Sequence, residues 1–420
     1  MVKFHLGFKN LAINTDESKS ERDEIFTKLL NEKKQQESGY YNLPYETKAL
    51  QDSLTYMQHN SAVLKDLTHI VIIGIGGSSL GLKAIDTMLY HLPHRNNIAV
   101  KFLEHTDPLK IQKSLKKIRL HTTLFIVISK SGMTIETTSL MKYCIWRYNL
   151  LESCVKNRLL IITDTNSPLD TWAKQNGVYS VGIESNIGGR FSVLSAVGIL
   201  PLMLLGYKVD SILKGARDLQ DSFLKREEEH ILEKAQFMAR NHDTLPMNIL
   251  FSYSSSFRDF NLWYVQLWGE SLGKIDGDSK KIGLTPISLI GSIDQHSFLQ
   301  LILEGKQDKT ITFLGIKEEG YNELVIPDIK LQGLEQTDFV NTISFAKLLA
   351  TQKKATMRVL QDEGLPIDCI EIDLLNEENI GCLIMYYELL TSAVGCIFGI
   401  QTYNQPAVER GKKLLCEMLK

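Results

Sequence analysis

The stretch Leu124 to Ser139, LFIVISKSGMTIETTS, holds the residues best suited to an anionic ligand. Five apolar residues, Leu124 to Ile128, stop at Ser129, Lys130, Ser131 and Gly132, and Thr134, Glu136 and Thr137 then open a helical pattern through Leu140, Met141, Tyr143 and Cys144. This is the signature of a buried strand, a polar turn and a helix start. Such a turn gathers backbone N–H groups, hydroxyls and one lysine at the positive end of a helix, which suits a phosphate monoester. An ordinary capped helix would use the same Ser and Thr residues. A second turn, GIGGSSLG at Gly74 to Gly81, fails both nucleotide fingerprints: Ser79 stands where the third glycine of a dinucleotide site belongs, and Leu82 and Lys83 follow Gly81 where a P-loop needs Lys then Ser or Thr. What remains is a glycine turn in which Gly76 and Gly77 permit close backbone approach and Ser78 offers a hydroxyl.

Further along, NIGGRFSVLSAVGILP (Asn186 to Pro201) places Arg190 directly before a hydrophobic helical pattern. A cation there gains nothing from the positive helix end, so an anionic ligand or transition state explains it better than stability does. In QLWGESLGK (Gln266 to Lys274), Glu270 interrupts an apolar run containing Leu262, Trp263, Val265, Leu267 and Trp268. Partial burial would raise its pKa and make it a general base, whereas a solvent-exposed helix-end glutamate would do nothing. His296 follows in GSIDQHSFLQ, where Asp294 is a candidate helix cap, and Gln405 and Lys412 stand in YNQPAVERGKK near the end of the chain. Taken singly, a lone histidine reads as structural and a terminal lysine as solvated.

The elements that must position these residues follow from periodicity. Strand-like runs at His69 to Ile75, Ala99 to Leu103, Leu124 to Ile128, Leu159 to Thr163 and Val178 to Gly182 alternate with helical patterns, which predicts a mainly parallel sheet flanked by helices. The two loops at Gly74 and Ser129 then both lie beyond the carboxyl ends of strands and can share a crevice. A long helical pattern from Ile212 to Asn241 carries the charge block Lys225 to His230, read as a solvated face. Beyond it, the runs Met247 to Phe251, Ile287 to Ile290, Thr310 to Leu314 and Asp368 to Ile372 alternate with helical segments including Ser344 to Gly364 and Asn379 to Ile397. The expected organisation is an α/β protein: an N-terminal arm (1–44), a first α/β domain (45–211), a second (212–400) and a C-terminal segment (401–420).

Composition narrows the function. A chain of 420 residues with 44% hydrophobic and 23% charged residues is an ordinary globular chain. A formal charge of -2 with no basic run argues against nucleic acid. The six cysteines (Cys144, Cys154, Cys369, Cys382, Cys396, Cys416) form no CxxC pair and read as reduced thiols. The N-terminus lacks a signal-peptide core. Phe191 to Tyr207 is too short and broken for a membrane span, and Ile380 to Ile400 carries Glu388, so both read as buried helices. A cytoplasmic enzyme is the expectation.

Six segments in order, GIGGSSLG, SKSGMTIET, NIGGRFSVLSAVG, QLWGESLGK, DQHSFLQ and NQPAVERGK, resemble the signature segments of the glucose-6-phosphate isomerase family from about residue 45 onward. The resemblance implies two flavodoxin-like sugar isomerase (SIS) domains, a homodimer with active sites at the subunit interface, and no metal or organic cofactor; the charge and the apolar stretches already argue against a nucleic-acid or membrane partner. It matches Glu270 to the base that moves a proton between C2 and C1, and Arg190 to the group steadying the enediolate. His296, contributed by the neighbouring subunit, and Lys412 match the pair that opens the sugar ring. Ser129, Lys130, Ser131 and Thr134 match the phosphate loop, and Gly77, Ser78 and Gln405 the sugar pocket. The closing motif departs from the family at Asn404, Ala407 and Arg410, and Met133 stands where threonine is common. The implied activity is reversible conversion of glucose 6-phosphate to fructose 6-phosphate in glycolysis and gluconeogenesis. The alternatives are an isomerase that also accepts mannose 6-phosphate, and a non-catalytic SIS-domain sugar-phosphate sensor.

Overall fold

The computed structural model describes residues 2–5, 16–318 and 324–420; the polar N-terminal stretch read from the sequence lies in part, at residues 6–15, outside them. Twelve strands are described: β1 (Val2–His5), β2 (His69–Ile73), β3 (Ala99–Leu103), β4 (Thr123–Ile128), β5 (Leu159–Asp164), β6 (Tyr179–Ile183), β7 (Met247–Tyr253), β8 (Lys274–Ile275), β9 (Lys281–Ile282), β10 (Thr285–Ile290), β11 (Lys309–Ile316) and β12 (Ile367–Ile372). The chain divides into two compact units, Leu30–Arg217 and Met1–Leu29 with Asp218–Lys420.

The Leu30–Arg217 unit is built on a five-stranded parallel sheet of order β3-β2-β4-β5-β6. All six residues of β4 are buried, as a central strand covered on both faces requires, and this is why its sequence is a continuous apolar run. Val71, Ile73, Phe125, Val127, Leu159 and Ile161 pack one face of the sheet against Leu140, Cys144, Leu169 and Ala173 of the connecting helices. Because β3 and β4 lie on opposite sides of β2, the strand order switches at β2. The loops after β2 and β4 leave the sheet at its carboxyl end beside that switch, the usual place for a ligand crevice in such sheets.

The other unit has the order β1-β12-β11-β7-β10, parallel except for β1, which pairs antiparallel with β12. Its core stacks Phe251 on Phe313 and Tyr253 on Phe313, at centroid distances of 5.7 and 5.9 Å. The start of the chain thus supplies an edge strand, which four residues of mixed polarity do not advertise. Among the described residues, only the helix Glu377–Phe398 is long and apolar enough to cross a membrane, and 83% of its apolar window is buried within the protein.

One element differs from its sequence reading. The single helix expected over Ile212–Asn241 is two, Val209–Leu224 and His230–Arg240. Arg226 takes a left-handed conformation (φ 62°), and the Glu228 carboxylate accepts hydrogen bonds from the N–H groups of His230 (2.7 Å) and Ile231 (3.4 Å). The charge block is therefore a helix stop and the cap of the next helix, in place of a solvated face. Burial pushes the Glu228 carboxyl up to about 7. The second helix is then tied to the sheet by Lys234, whose buried Nζ reaches Asp368 Oδ2 (2.6 Å) on β12 and Thr312 Oγ1 (2.7 Å) on β11. Losing either charge would strand the other in a dry interior, at a cost of about 3–5 kcal/mol.

Glu388, in the middle of the Glu377–Phe398 helix, is fully buried, and neither carboxyl oxygen has a hydrogen-bond partner among the described residues. Burial alone raises its pKa well above the ordinary carboxylate value, so the folded chain holds this proton after an unfolded chain has released it. Between those two pKa values stability therefore falls as pH rises, by about 1.4 kcal/mol per pH unit for this one group. Glu388→Met is expected to raise the urea midpoint at pH 8, with an advantage that shrinks toward pH 5. An advantage equal at both pH values would show that the carboxyl is not the cause.

Candidate active site

Within the Leu30–Arg217 unit, three loops carry the predicted ligand residues. After β4, Ser129 is buried and its N–H donates to the Ile162 carbonyl (3.1 Å), while its hydroxyl lies 3.3 Å from the Thr134 hydroxyl. Thr134 is the N-cap of the helix Ile135–Tyr148 but makes no side-chain cap bond, which leaves the helix's first N–H groups facing the loop. Ser131 is exposed, and its hydroxyl accepts from the Met133 N–H (3.3 Å). Gly132 adopts a left-handed φ of 68°, and a Cβ there would come within 2.5 Å of Leu169, so the loop's tight turn requires glycine. The loop is buttressed from β5: Thr163 Oγ1 donates to the Ser129 carbonyl at 2.6 Å. Thr163 was not singled out from the sequence, where it reads as one more strand residue.

Lys130 is half-buried, and burial lowers its pKa, with Asp164 opposing and the nearby positive charge of Arg190 reinforcing the shift. Arg190 is only 2% exposed and lies over the Phe191 ring, 5.5 Å from its centroid. It does not stand at a helix N-terminus as the sequence suggested: it belongs to a 3-10 turn, Gly189–Phe191, and the helix Ala196–Leu204 starts six residues later under its own Ser195 cap. Helix polarity therefore does not bear on Arg190; what sets it apart is the burial of a permanent cation near a second one. Lys130 thus feels the negative charge of Asp164 and, less strongly, the positive charge of Arg190.

The third loop, Gly74 to Ser79, packs on the Arg190 turn backbone to backbone. A Cβ at Gly77 would overlap the Gly189 carbonyl carbon and fall 2.5 Å from the Arg190 nitrogen. Ser78 is half-buried beside this contact, so glycine at position 77 places a hydroxyl-bearing turn against the arginine loop. In this unit Gly77 meets the Arg190 turn, and Arg190 lies close enough to Lys130 for its charge to act there.

In the other unit Glu270 lies near the end of the helix Arg258–Leu272 and is half-buried. Gln266, one turn earlier, donates Nε2 to Glu270 Oε2 at 3.1 Å, and Lys274 Nζ donates to the Glu270 and Ser271 carbonyls at 2.6 and 2.8 Å. The lysine thereby satisfies carbonyls that a helix end leaves open and fixes the backbone that carries the carboxylate. Neither Gln266 nor Lys274 was assigned a role from the sequence; the i, i+4 spacing of Gln266 and Glu270 is the signal that could have found the first. Glu270 lines a cleft of about 910 Å3 that also includes Gln405 and Asn404, with Ile275 and Ile282 of the β8–β9 hairpin. That hairpin was missed because each strand has only two residues; its mark is the turn Asp276 to Lys280, where Asp276 Oδ1 accepts from the N–H groups of Asp278 and Lys280.

The remaining two candidates stand apart from this cleft. His296 is exposed at the end of a 3-10 turn, Ile293–His296, that Asp294 secures by accepting from the Ile290 N–H (2.7 Å) and the Ser297 hydroxyl (2.8 Å). Lys412 lies on the exposed helix Glu409–Leu419 with its Nζ 2.7 Å from Glu409. Neither lines the Glu270 cleft.

The Gly77 contact yields a contrast. Gly77→Ala is expected to force the two turns apart, at a cost of about 1–3 kcal/mol in urea denaturation. Gly189→Ala, whose Cβ would meet only Gly77 Cα at 3.8 Å, should leave the midpoint nearly unchanged. Equal losses in both would remove the case for a backbone contact.

The chain matches known proteins along its length. A family model described as phosphoglucose isomerase matches residues 41–420. A glucose-6-phosphate isomerase of Campylobacter jejuni is 41% identical over 420 residues, covering all of both chains. One from Methanocaldococcus jannaschii is 35% identical over 367 residues, 85% of this chain and 86% of its own. Among solved structures, a hypothetical protein of Thermus thermophilus superposes with a TM-score of 0.91 over the whole of both chains at 28% identity. A glucose-6-phosphate isomerase of Chlamydia trachomatis shares the fold at a TM-score of 0.75 and 24% identity, over 88% of this chain and 73% of its own. With its family model matched from residue 41 to the last residue and a relative of 41% identity end to end, the chain belongs to the phosphoglucose isomerase family.

Proposed function

We propose that this chain interconverts glucose 6-phosphate and fructose 6-phosphate through a cis-enediol, serving glycolysis and gluconeogenesis. The observation that carries the reading is the Glu270 carboxylate, half-buried, held by Gln266 and facing a cleft of about 910 Å3 that it shares with Gln405. A carboxylate fixed in this way takes the proton from C2 of the aldose and returns it to C1, so one group serves as base and then acid. Removal of that proton leaves negative charge on the enediolate oxygens. A guanidinium stabilises this charge without reorganising, which is the role of Arg190, already desolvated before substrate arrives.

The substrate phosphate belongs to Ser129, Lys130, Ser131 and Thr134, with the N–H groups at the start of the following helix. Gly77, Ser78 and Gln405 then line the sugar. Ring opening needs one group to protonate the ring oxygen and another to take the O1 proton; His296 and Lys412 serve here, the histidine supplied by a second copy of the chain. The exposure of His296 away from the Glu270 cleft supports that sharing, as do the apolar side chains exposed along the last helix, Leu414, Leu415, Met418 and Leu419. The working assembly is a homodimer, and six scattered cysteines without a CxxC pair fit a reducing, cytoplasmic setting.

Proton NMR of fructose 6-phosphate in D2O tests the base. Glucose 6-phosphate bearing deuterium at C2 should form with the wild-type chain and not with Glu270→Gln, which should still bind sugar phosphate within about tenfold. Binding without exchange in the wild-type chain would leave a sensor. Lys130 gives a pH signature: with its pKa lowered, it loses its charge earlier on the alkaline side than a free lysine would. KM for fructose 6-phosphate should therefore rise with pH in the alkaline range while kcat holds, and Lys130→Gln should start from a high KM and lose the rise. A rise unaltered in Lys130→Gln would assign it to another group.

A further inference from the structure

Outside the loops described above, the Leu30–Arg217 unit has a second place suited to an anion. A hollow of about 290 Å3 lies along the edge strand β3 and the helices Leu80–Leu89 and Pro108–Leu115. Its walls carry four lysines, Lys83, Lys101, Lys110 and Lys113, against a single carboxylate, Glu104, with Val100, Phe102 and Ser114 completing it. In a chain whose formal charge is -2, this is a local excess of positive charge. Glu104 does not neutralise the set: it is engaged by Lys83 Nζ at 3.0 Å and by the Ser79 hydroxyl at 3.3 Å. Lys101, Lys110 and Lys113 have no ion pair among the described residues. The nearest other acid along the chain, Asp107, is taken up as the cap of the helix Pro108–Leu115, accepting from the Leu109 N–H at 2.9 Å. The hollow also has an apolar component, because Lys83 lies over the Phe102 ring, 5.7 Å from its centroid.

We propose that this hollow binds a small molecule carrying two or more phosphate charges, and that its occupancy is felt at the sugar loop. Ammonium groups on long stems suit a phosphate cluster, since each acts as a mobile point charge with several donors. The volume is near the lower end for ligand pockets, which favours a compact anion over a polymer. The link to the sugar loop is the chain Lys83, Glu104, Ser79. Ser79 is fully buried, neighbours Ser78, and its hydroxyl also lies 3.3 Å from the Gly76 carbonyl. A phosphate drawing Lys83 away leaves Glu104 with Ser79 alone, which changes the hold on the turn that carries Gly77 and Ser78.

Inorganic pyrophosphate is the probe, titrated calorimetrically at low salt. In the Lys130→Ala background, which disables the Ser129 loop, one saturable event should remain. It should weaken about tenfold or more when Lys101, Lys110 and Lys113 are all replaced by Ser, and fade as salt is raised. In the chain with Lys130 intact, the same titration should resolve a second event. No saturable binding in the Lys130→Ala background, or equal binding after the lysine replacements, overturns the site. This arm needs no catalysis, so it stands or falls independently of the isomerase reading. The coupling does rest on that reading: pyrophosphate should change KM for fructose 6-phosphate in the wild-type chain beyond simple competition, and Ser79→Ala should keep the binding but lose that component. Purely competitive behaviour in the wild-type chain would refute the coupling.

Discussion

Placing two cations, Arg190 and Lys130, within each other's field and partly out of water is the constraint on which the Leu30–Arg217 unit depends. Like charges in a medium of reduced dielectric repel, and for Lys130 the Asp164 carboxylate at the end of β5 opposes that repulsion. The unit holds them through rigidity elsewhere. Six buried residues of β4 bring the Ser129 loop to the sheet end, and Thr163 fastens that loop from β5. Gly77 fixes the arginine turn by an approach too close for any side chain.

The second unit solves a different problem with the same architecture. There a half-buried carboxylate, Glu270, stands at the wall of a cleft. Here the carboxylate is placed late in a helix that starts in the core beside β7, where Phe260, Trp263, Leu267 and Trp268 bury the inward face. Gln266 and Lys274 then orient the last turn, and the β8–β9 hairpin walls the cleft. The rest of the unit secures that helix's surroundings through the buried Lys234–Asp368 pair and the Glu228 cap.

Family membership adds what a single chain does not display. Residues matched to ring opening, His296 and Lys412, are both surface groups, one on a 3-10 turn and the other paired with Glu409. Neither lines the Glu270 cleft. The lysine-lined hollow beside β3 is of another kind, for it lies within one unit and is connected to the Gly74–Ser79 turn by a short path of hydrogen bonds.

The sequence by itself determined the sheets and the glycine turns. Continuous apolar runs such as Leu124 to Ile128 can be satisfied only as strands buried on both faces, and the glycines at 76, 77 and 132 can be explained only by turns that other residues would strain. It also singled out Glu270, a carboxylate within an apolar helix, whereas its reason for singling out Arg190, a place at a helix start, did not hold. Tertiary structure alone decided the rest. That Val2–His5 completes a sheet depends on an open edge at β12, near the other end of the sequence, which no local pattern contains. That Lys225 to Glu229 stops a helix depends on a backbone turn at Arg226 and a cap by Glu228, since charges alone are equally at home on a solvated face. That Arg190 is buried near Lys130, and that four lysines from three elements meet beside β3, are facts of long-range packing, and charge in a sequence has no location until the chain has folded.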